Sequence, residues 1–160
     1  MRLDAFFTAL DIGDAAKYAK RCEQDGYHGL WITETQVDPL LPLAVAATST
    51  SALRLGTGIT VALARSPMVT AMDAWAIQKA SAGRLDLGLG TQVRAHIERR
   101  FSMPYDHPAR RMKEYVAALR HIWGAFQGEH RLSFKDTFAQ LAWLAGGLVI
   151  VVAATSSLHH

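Results

Sequence analysis

From Leu3 to Phe126 the chain alternates short apolar runs of strand character with amphipathic helical patterns, and this alternation restricts the fold more than any other feature. "LDAFFT" (3–8), "HGLWIT" (28–33), "LRLGTGITVAL" (53–63) and "RLDLGLG" (84–90) read as four strands. Between the first two, Ala15, Tyr18, Ala19 and Cys22 recur at i, i+3, i+4 and i+7, with Asp14 placed as a cap and Gly26 as the terminating glycine. Pro42 opens a short apolar helix, "PLAVAATSTS". Ser66-Pro67 opens another, with Val69, Met72 and Ala76 as its apolar stripe and Gly83 as its end. Val93, Ile97 and Phe101 mark a further helical segment. The longest pattern follows Asp106-His107-Pro108: Met112, Tyr115, Val116, Leu119, Ile122, Trp123 and Phe126 keep the 3.6-residue period until Gly128.

Strands separated by helices imply a parallel sheet, because parallel neighbours need a crossover connection. The fold class is therefore α/β, as a doubly wound open sheet or a (β/α)8 barrel. Both bind ligands at the C-terminal ends of their strands. That rim would carry Thr8, Glu34, Gly56 to Thr60 and Gly88 to Gln92.

The last quarter departs from this rhythm. In "FAQLAWLAGGLVIVVAA" (138–154) only Gln140 is polar. Seventeen residues are the minimum for a membrane span, and Gly146-Gly147 interrupts the run. The preferred reading is a short helix, a glycine turn and a buried fifth strand, "LVIVVA", with a membrane anchor as the alternative.

At 160 residues the chain suits one domain with a sizeable core. Its net charge of +3 falls short of a nucleic-acid footprint, and no basic stripe with interleaved aromatics is present, so nucleic acid is not expected as a partner. Cys22, the single cysteine, has no disulfide partner. "MRLDAFFTAL" lacks the apolar run of a signal peptide, so a cytoplasmic location is expected.

The glycine turns are the candidates for chemistry. A dinucleotide fingerprint needs Gly-x-Gly-x-x-Gly, and in "GLGTQV" Val93 stands where the third glycine belongs. "GTGITV" (56–61) continues as strand instead of opening a helix. Tight strand packing accounts for these glycines equally well. After Gly90 a helix start would leave backbone N–H groups facing an anion, with Thr91 and Gln92 adding a hydroxyl and an amide and Arg94 and Arg99 adding charge. No G-x-S-x-G, H-E-x-x-H or C-x-x-C is present, and the histidines lack metal-ligand spacing, so no metal is expected. No side chain is assigned a catalytic role; Glu34 is the candidate, as an acid at a strand's C-terminal end.

"DGYHGLWITE", "DPLLPLAVAATSTSALRLGTGITVALARSPMVTA" and "SAGRLDLGLGTQVRAHIERRFSMPYDHPARRMKEYVAALRHIW" together resemble the luciferase-like monooxygenase superfamily, particularly its coenzyme F420-dependent oxidoreductases. The resemblance runs from about Met1 to Phe134. It implies a TIM barrel that binds F420, or alternatively FMN, at its C-terminal rim and transfers hydride to, or oxygenates, a small organic substrate. It places Gly56, Thr57 and Gly58 against the ring of the cofactor, Gly88, Gly90, Thr91 and Gln92 on the same rim, and Glu34 at the second-strand end. A complete barrel of about 250 residues is much longer than this chain. The resemblance thus implies the first half of a barrel in residues 1–135, followed by a divergent apolar tail in 136–160. Four or five strands leave a sheet edge open, so a homo-oligomer is expected. The alternative to an oxidoreductase is a self-associating half-barrel without cofactor turnover.

Overall fold

The structure, a computed structural model, describes residues 2–132 and the backbone of 151–154. Four strands, β1 (Asp4–Phe7), β2 (Gly29–Ile32), β3 (Arg54–Thr57) and β5 (Leu85–Gly90), lie side by side, and each adjacent pair is parallel. The two-residue β4 (Thr60–Val61) follows β5 in the sheet order, and β6 (Val151–Ala154) also pairs with β5. The order β1-β2-β3-β5 advances along the chain without reversal. A doubly wound sheet reverses at a switch point, whereas a barrel adds each strand beside the last, so this is the barrel arrangement.

Among the described residues the strands are joined or followed by five α-helices, α1 (Ala15–Gln24), α2 (Leu40–Ser49), α3 (Pro67–Ala80) and, in succession after β5, α4 (Arg94–Arg100) and α5 (Pro108–Phe126). The described chain divides into two compact units. Of the described residues, one comprises 2–60, 73–89 and 152–154, and the other 61–72, 90–132 and 151. The expected boundary after Lys135 and the expected helix and glycine turn of the tail lie outside the described residues.

In the first unit the core is aliphatic: Leu30, Ile32, Leu43, Leu55, Leu85, Leu87 and Leu89 are almost completely buried. Successive strand residues point to opposite faces, so Leu30, Ile32, Leu55, Leu85, Leu87 and Leu89 form one face of the sheet and Asp4, Phe6, Trp31, Arg54 and Asp86 the other. At the N-terminal end of the sheet, Glu23 accepts hydrogen bonds from three consecutive backbone amides, those of Ser51 (2.9 Å), Ala52 (2.6 Å) and Leu53 (2.9 Å). Arg84 reaches the same loop, donating to the carbonyls of Ala47 (2.9 Å), Thr50 (2.9 Å) and Leu53 (2.8 Å). These two side chains satisfy the backbone groups left over where α2 ends and β3 begins. Burial pushes the thiol of Cys22 up from its ordinary value, aided by the charge of Asp25, which keeps it a protonated core residue.

In the second unit α5 buries the face that its period predicts: Met112, Tyr115, Val116, Leu119, Ile122 and Trp123 are buried. Trp123 donates its indole N–H to the Ala71 carbonyl (3.1 Å), and Tyr115 shares a 2.5 Å hydrogen bond with Thr70.

Three local readings need correction. Asp14 makes no side-chain cap; the chain turns one step earlier, where Asp11 accepts the Gly13 amide (2.7 Å). On α3 the expected stripe is on the wrong face, because Val69 and Met72 are 45% and 48% exposed while Thr70, Ala71, Ala74, Ile77 and Gln78 are buried. Partners make the polar pair tolerable: Thr70 bonds Tyr115, and Gln78 accepts the Leu85 amide (2.8 Å). Finally, the third strand does not run from Leu53 to Leu63. It stops at Thr57, passes a cis Gly58–Ile59 peptide, resumes for Thr60–Val61 and ends in a 3-10 turn over Ala62–Ala64.

Candidate cofactor site

The register builds the first unit's open face row by row. Asp4, Gly29 and Arg54 form one row, and Phe6, Trp31, Gly56 and Asp86 the next toward the C-terminal ends. Neighbouring rows are cross-tied. Trp31 donates its indole N–H to Asp4 (3.1 Å), and Arg54 pairs with Asp86 through two nitrogens, one of them at 3.0 Å. Phe6 is left 60% exposed.

The glycines on this face have different physical roles. A Cβ at Gly56 would lie 2.2 Å from the Trp31 ring, so the absent side chain is what lets the indole lie over β3. A Cβ at Gly88 would lie 2.1 Å from the Thr57 carbonyl oxygen, so Gly88 serves the close approach of two backbones. Gly58 differs. Its half-buried backbone would bring a Cβ to 3.1 Å from Phe6 Cε2, the edge of an exposed ring.

Thr57 is 1% exposed and its hydroxyl is committed to the sheet. It donates to the Gly88 carbonyl (2.7 Å) and accepts the Gly88 amide (2.9 Å), extending the β3–β5 contact past the last ladder pair. Thr57 thus holds the rim together through its side chain. Glu34 is also buried, and its amide donates to the Ile59 carbonyl (3.2 Å), which anchors the cis turn to the end of β2.

In the second unit, Gly90 and Thr91 are buried at the end of β5 and Gln92 follows with a left-handed backbone, φ 58°. The Gln92 side chain accepts the Val93 amide (3.0 Å), and the Gln92 carbonyl accepts the hydroxyls of Thr91 (3.2 Å) and Tyr105 (2.9 Å). The expected anion-binding helix start is weakened on two counts: α4 has only seven residues, and the amide of Val93 before it is already taken. Arg94 is drawn to Glu98 (2.7 Å) and lies over the Tyr105 ring (5.3 Å). A cavity of about 110 Å³ among Ala62, Leu63, Pro67, Met103, Arg111 and Tyr115 is well below the roughly 300 Å³ at which ligand pockets begin. Among the described residues no three His, Cys, Asp or Glu side chains gather as a metal site. No described helix is long and apolar enough to cross a membrane.

Sequence reasoning missed Phe6, Trp31, Asp4 and Tyr105. The first three could be reached only through the register that aligns them with Gly56, and Tyr105 carries no local signal at all.

On a barrel-type sheet the first unit offers the Trp31 indole seated over Gly56 and the exposed Phe6 ring beside Gly58. That defines the class: an α/β-barrel protein whose open sheet face carries two aromatic rings among the charged side chains of Asp4, Arg54 and Asp86. The family model for luciferase-like monooxygenases matches residues 6–158, and the chain belongs to that family. It is 56% identical over 124 residues to an uncharacterized protein of Mycobacterium tuberculosis, Rv1360, covering 78% of this chain and 36% of that one. It is 32% identical over 145 residues to the 5,10-methylenetetrahydromethanopterin reductase of Methanolobus tindarius, covering 87% and 43%. Among solved structures, monooxygenase RslO1 from Streptomyces bottropensis superposes with a TM-score of 0.71 at 21% identity, over 97% of this chain and 49% of that one. The coenzyme F420-dependent tetrahydromethanopterin reductase from Methanopyrus kandleri does so with a TM-score of 0.65 at 21% identity, over 96% and 46%. The chain therefore spans less than half the length of these relatives, and its fold is part of their barrel.

Proposed function

We propose that this chain contributes the cofactor-binding strands of a flavin- or deazaflavin-dependent oxidoreductase, with F420 as cofactor and FMN as the alternative. The substrate is a small organic molecule undergoing hydride transfer or monooxygenation, and the proposed location is the cytoplasm. The observation that carries this reading is Gly58 beside the exposed Phe6 ring, with the Trp31 indole seated over Gly56, in a chain of the luciferase-like family. A planar tricyclic ring packs against aromatic faces and where backbone lacks a Cβ, and Phe6, Trp31 and Gly58 supply these. F420 is favoured over FMN because F420-dependent proteins occur among both the sequence relatives and the structural neighbours.

When bound, the cofactor supplies the redox chemistry, and the protein's part is to position the ring and substrate. Gly58, whose Cβ position faces only the edge of the exposed Phe6 ring, leaves room for the cofactor ring, while Gly56 seats the Trp31 indole beside it. Thr57 and Gly88 keep the rim rigid, and the buried Glu34 is the acid nearest in sequence to the ends of these strands. For Gly90, Thr91 and Gln92 of the second unit, a role in cofactor binding is proposed from the resemblance alone.

A second reading, self-association without turnover, is supported by the 60% exposure of Phe6 on the open sheet face. Titrating F420 and FMN separately with the protein, and following the anisotropy of cofactor fluorescence, tests the first reading. Saturable binding of either one is the expected result. No binding by either, with a mass that rises with concentration in light scattering, would replace it by the second.

A further inference from the structure

The segment between α4 and α5 runs from Phe101 to His107, and its middle is built around one side chain. Ser102, Met103, Pro104, Asp106 and His107 are exposed, whereas Tyr105 is half-buried. Its hydroxyl donates to the Gln92 carbonyl at 2.9 Å, and its ring lies under the Arg94 guanidinium at 5.3 Å. The far side of the segment is tied to α5, where Arg111 donates to the Pro104 carbonyl and to Asp106 (3.3 Å). The segment is therefore a strap fastened to α5 at one side, with Tyr105 pressed onto the turn after β5.

That turn needs holding. Gln92 is a non-glycine residue at φ 58°, a conformation disfavoured for a residue with a Cβ that persists only where the surroundings enforce it. Two bonds enforce it: the Gln92 side chain on the Val93 amide, and the Tyr105 hydroxyl on the Gln92 carbonyl. The Thr91 hydroxyl reaches the same carbonyl at a longer 3.2 Å, so Tyr105 also sets the environment in which Thr91 is oriented.

We infer that Tyr105 is a positioning residue for cofactor binding: it holds the Thr91–Gln92 turn in its left-handed form from a strap outside the glycine motifs. The inference rests on the cofactor reading above, but it concerns a residue for which that reading has no role. Tyr105→Phe keeps the ring, and with it the Arg94 contact, and removes only the hydroxyl. Tyr115→Phe, which removes a buried hydroxyl bonded to Thr70 in the same unit, serves as the comparison.

The experiment titrates F420 and FMN into the parent chain and both variants, recording anisotropy and the absorption spectrum of the bound cofactor, with thermal unfolding in parallel. Tyr105→Phe is expected to weaken binding about five- to tenfold, the equivalent of one hydrogen bond, and to shift the bound spectrum. Tyr115→Phe is expected to lower the melting temperature and leave affinity and spectrum unchanged. Equal binding and an identical spectrum for parent and Tyr105→Phe would overturn the inference and leave the cofactor reading standing. An equal loss in both variants would overturn it as general loosening. A parent chain that binds neither cofactor would overturn the cofactor reading and the inference with it.

Discussion

Replacing Gly88 by alanine is expected to unfold much of what holds the rim together, whereas the same change at Gly58 is expected to leave the fold almost untouched. The added Cβ at position 88 would stand 2.1 Å from the Thr57 carbonyl oxygen, about 1 Å inside the closest approach such atoms make. Both partners are backbone in adjacent strands, so relief requires β3 and β5 to separate. Separation breaks the two bonds of the Thr57 hydroxyl to Gly88, at 2.7 and 2.9 Å. Two buried bonds at about 1 kcal/mol each, with 1–3 kcal/mol for overpacking, give roughly 3–5 kcal/mol. Against a typical domain stability of about 5–15 kcal/mol this is a large fraction. At Gly58 the obstacle is the edge of Phe6 at 3.1 Å, and that ring is exposed enough to turn aside, so the cost should stay below about 1 kcal/mol. Urea unfolding followed by far-ultraviolet circular dichroism measures both. The Gly88→Ala midpoint should fall by about 2 M, at a slope of about 2 kcal/mol per M. Gly58→Ala should unfold with the parent yet bind F420 or FMN more weakly. A Gly88→Ala variant within 1 kcal/mol of the parent, or two variants equally destabilised, would refute the division of these glycines into strand-packing and ligand-facing roles.

Two further expectations follow from other parts of the first unit. Burial works against the Glu23 carboxylate, but the amides of Ala52, Leu53 and Ser51 and the charge of Arg84 outweigh it and hold its pKa below the ordinary value. Its contribution is therefore complete above the unfolded value of about 4.3 and is lost as pH falls through the folded one. Glu23→Gln should cost about 1–2 kcal/mol at pH 7, and the gap in urea midpoint should close below about pH 4; a gap that does not change with pH would contradict this. Phe6→Asp should leave stability nearly unchanged, since Phe6 is 60% exposed, and should abolish any concentration-dependent mass in light scattering if the open sheet face is where copies meet. Undiminished association would place the contact elsewhere.

The alternation of strands and helices, the α5 face from Met112 to Trp123 and the terminating glycines were readable from sequence because each depends on local periodicity or on a backbone angle. Gly26, Gly83 and Gly128 all adopt the positive φ that ends a helix. The family was readable too, since its motifs are contiguous. The α3 face was misread because hydrophobicity alone chose Val69 and Met72, whereas burial went to Thr70 and Gln78, whose partners Tyr115 and Leu85 lie 45 and 7 residues away. Sequence also could not separate the roles of Gly56, Gly58 and Gly88. Each lacks a Cβ, and what that Cβ would strike is an indole from β2, an exposed ring from β1 or the backbone of β3. Local pattern determined which segments become strands and helices; only the tertiary register, by setting Trp31 beside Gly56 and Gly88 against the backbone of Thr57, decided what each glycine's missing Cβ makes room for.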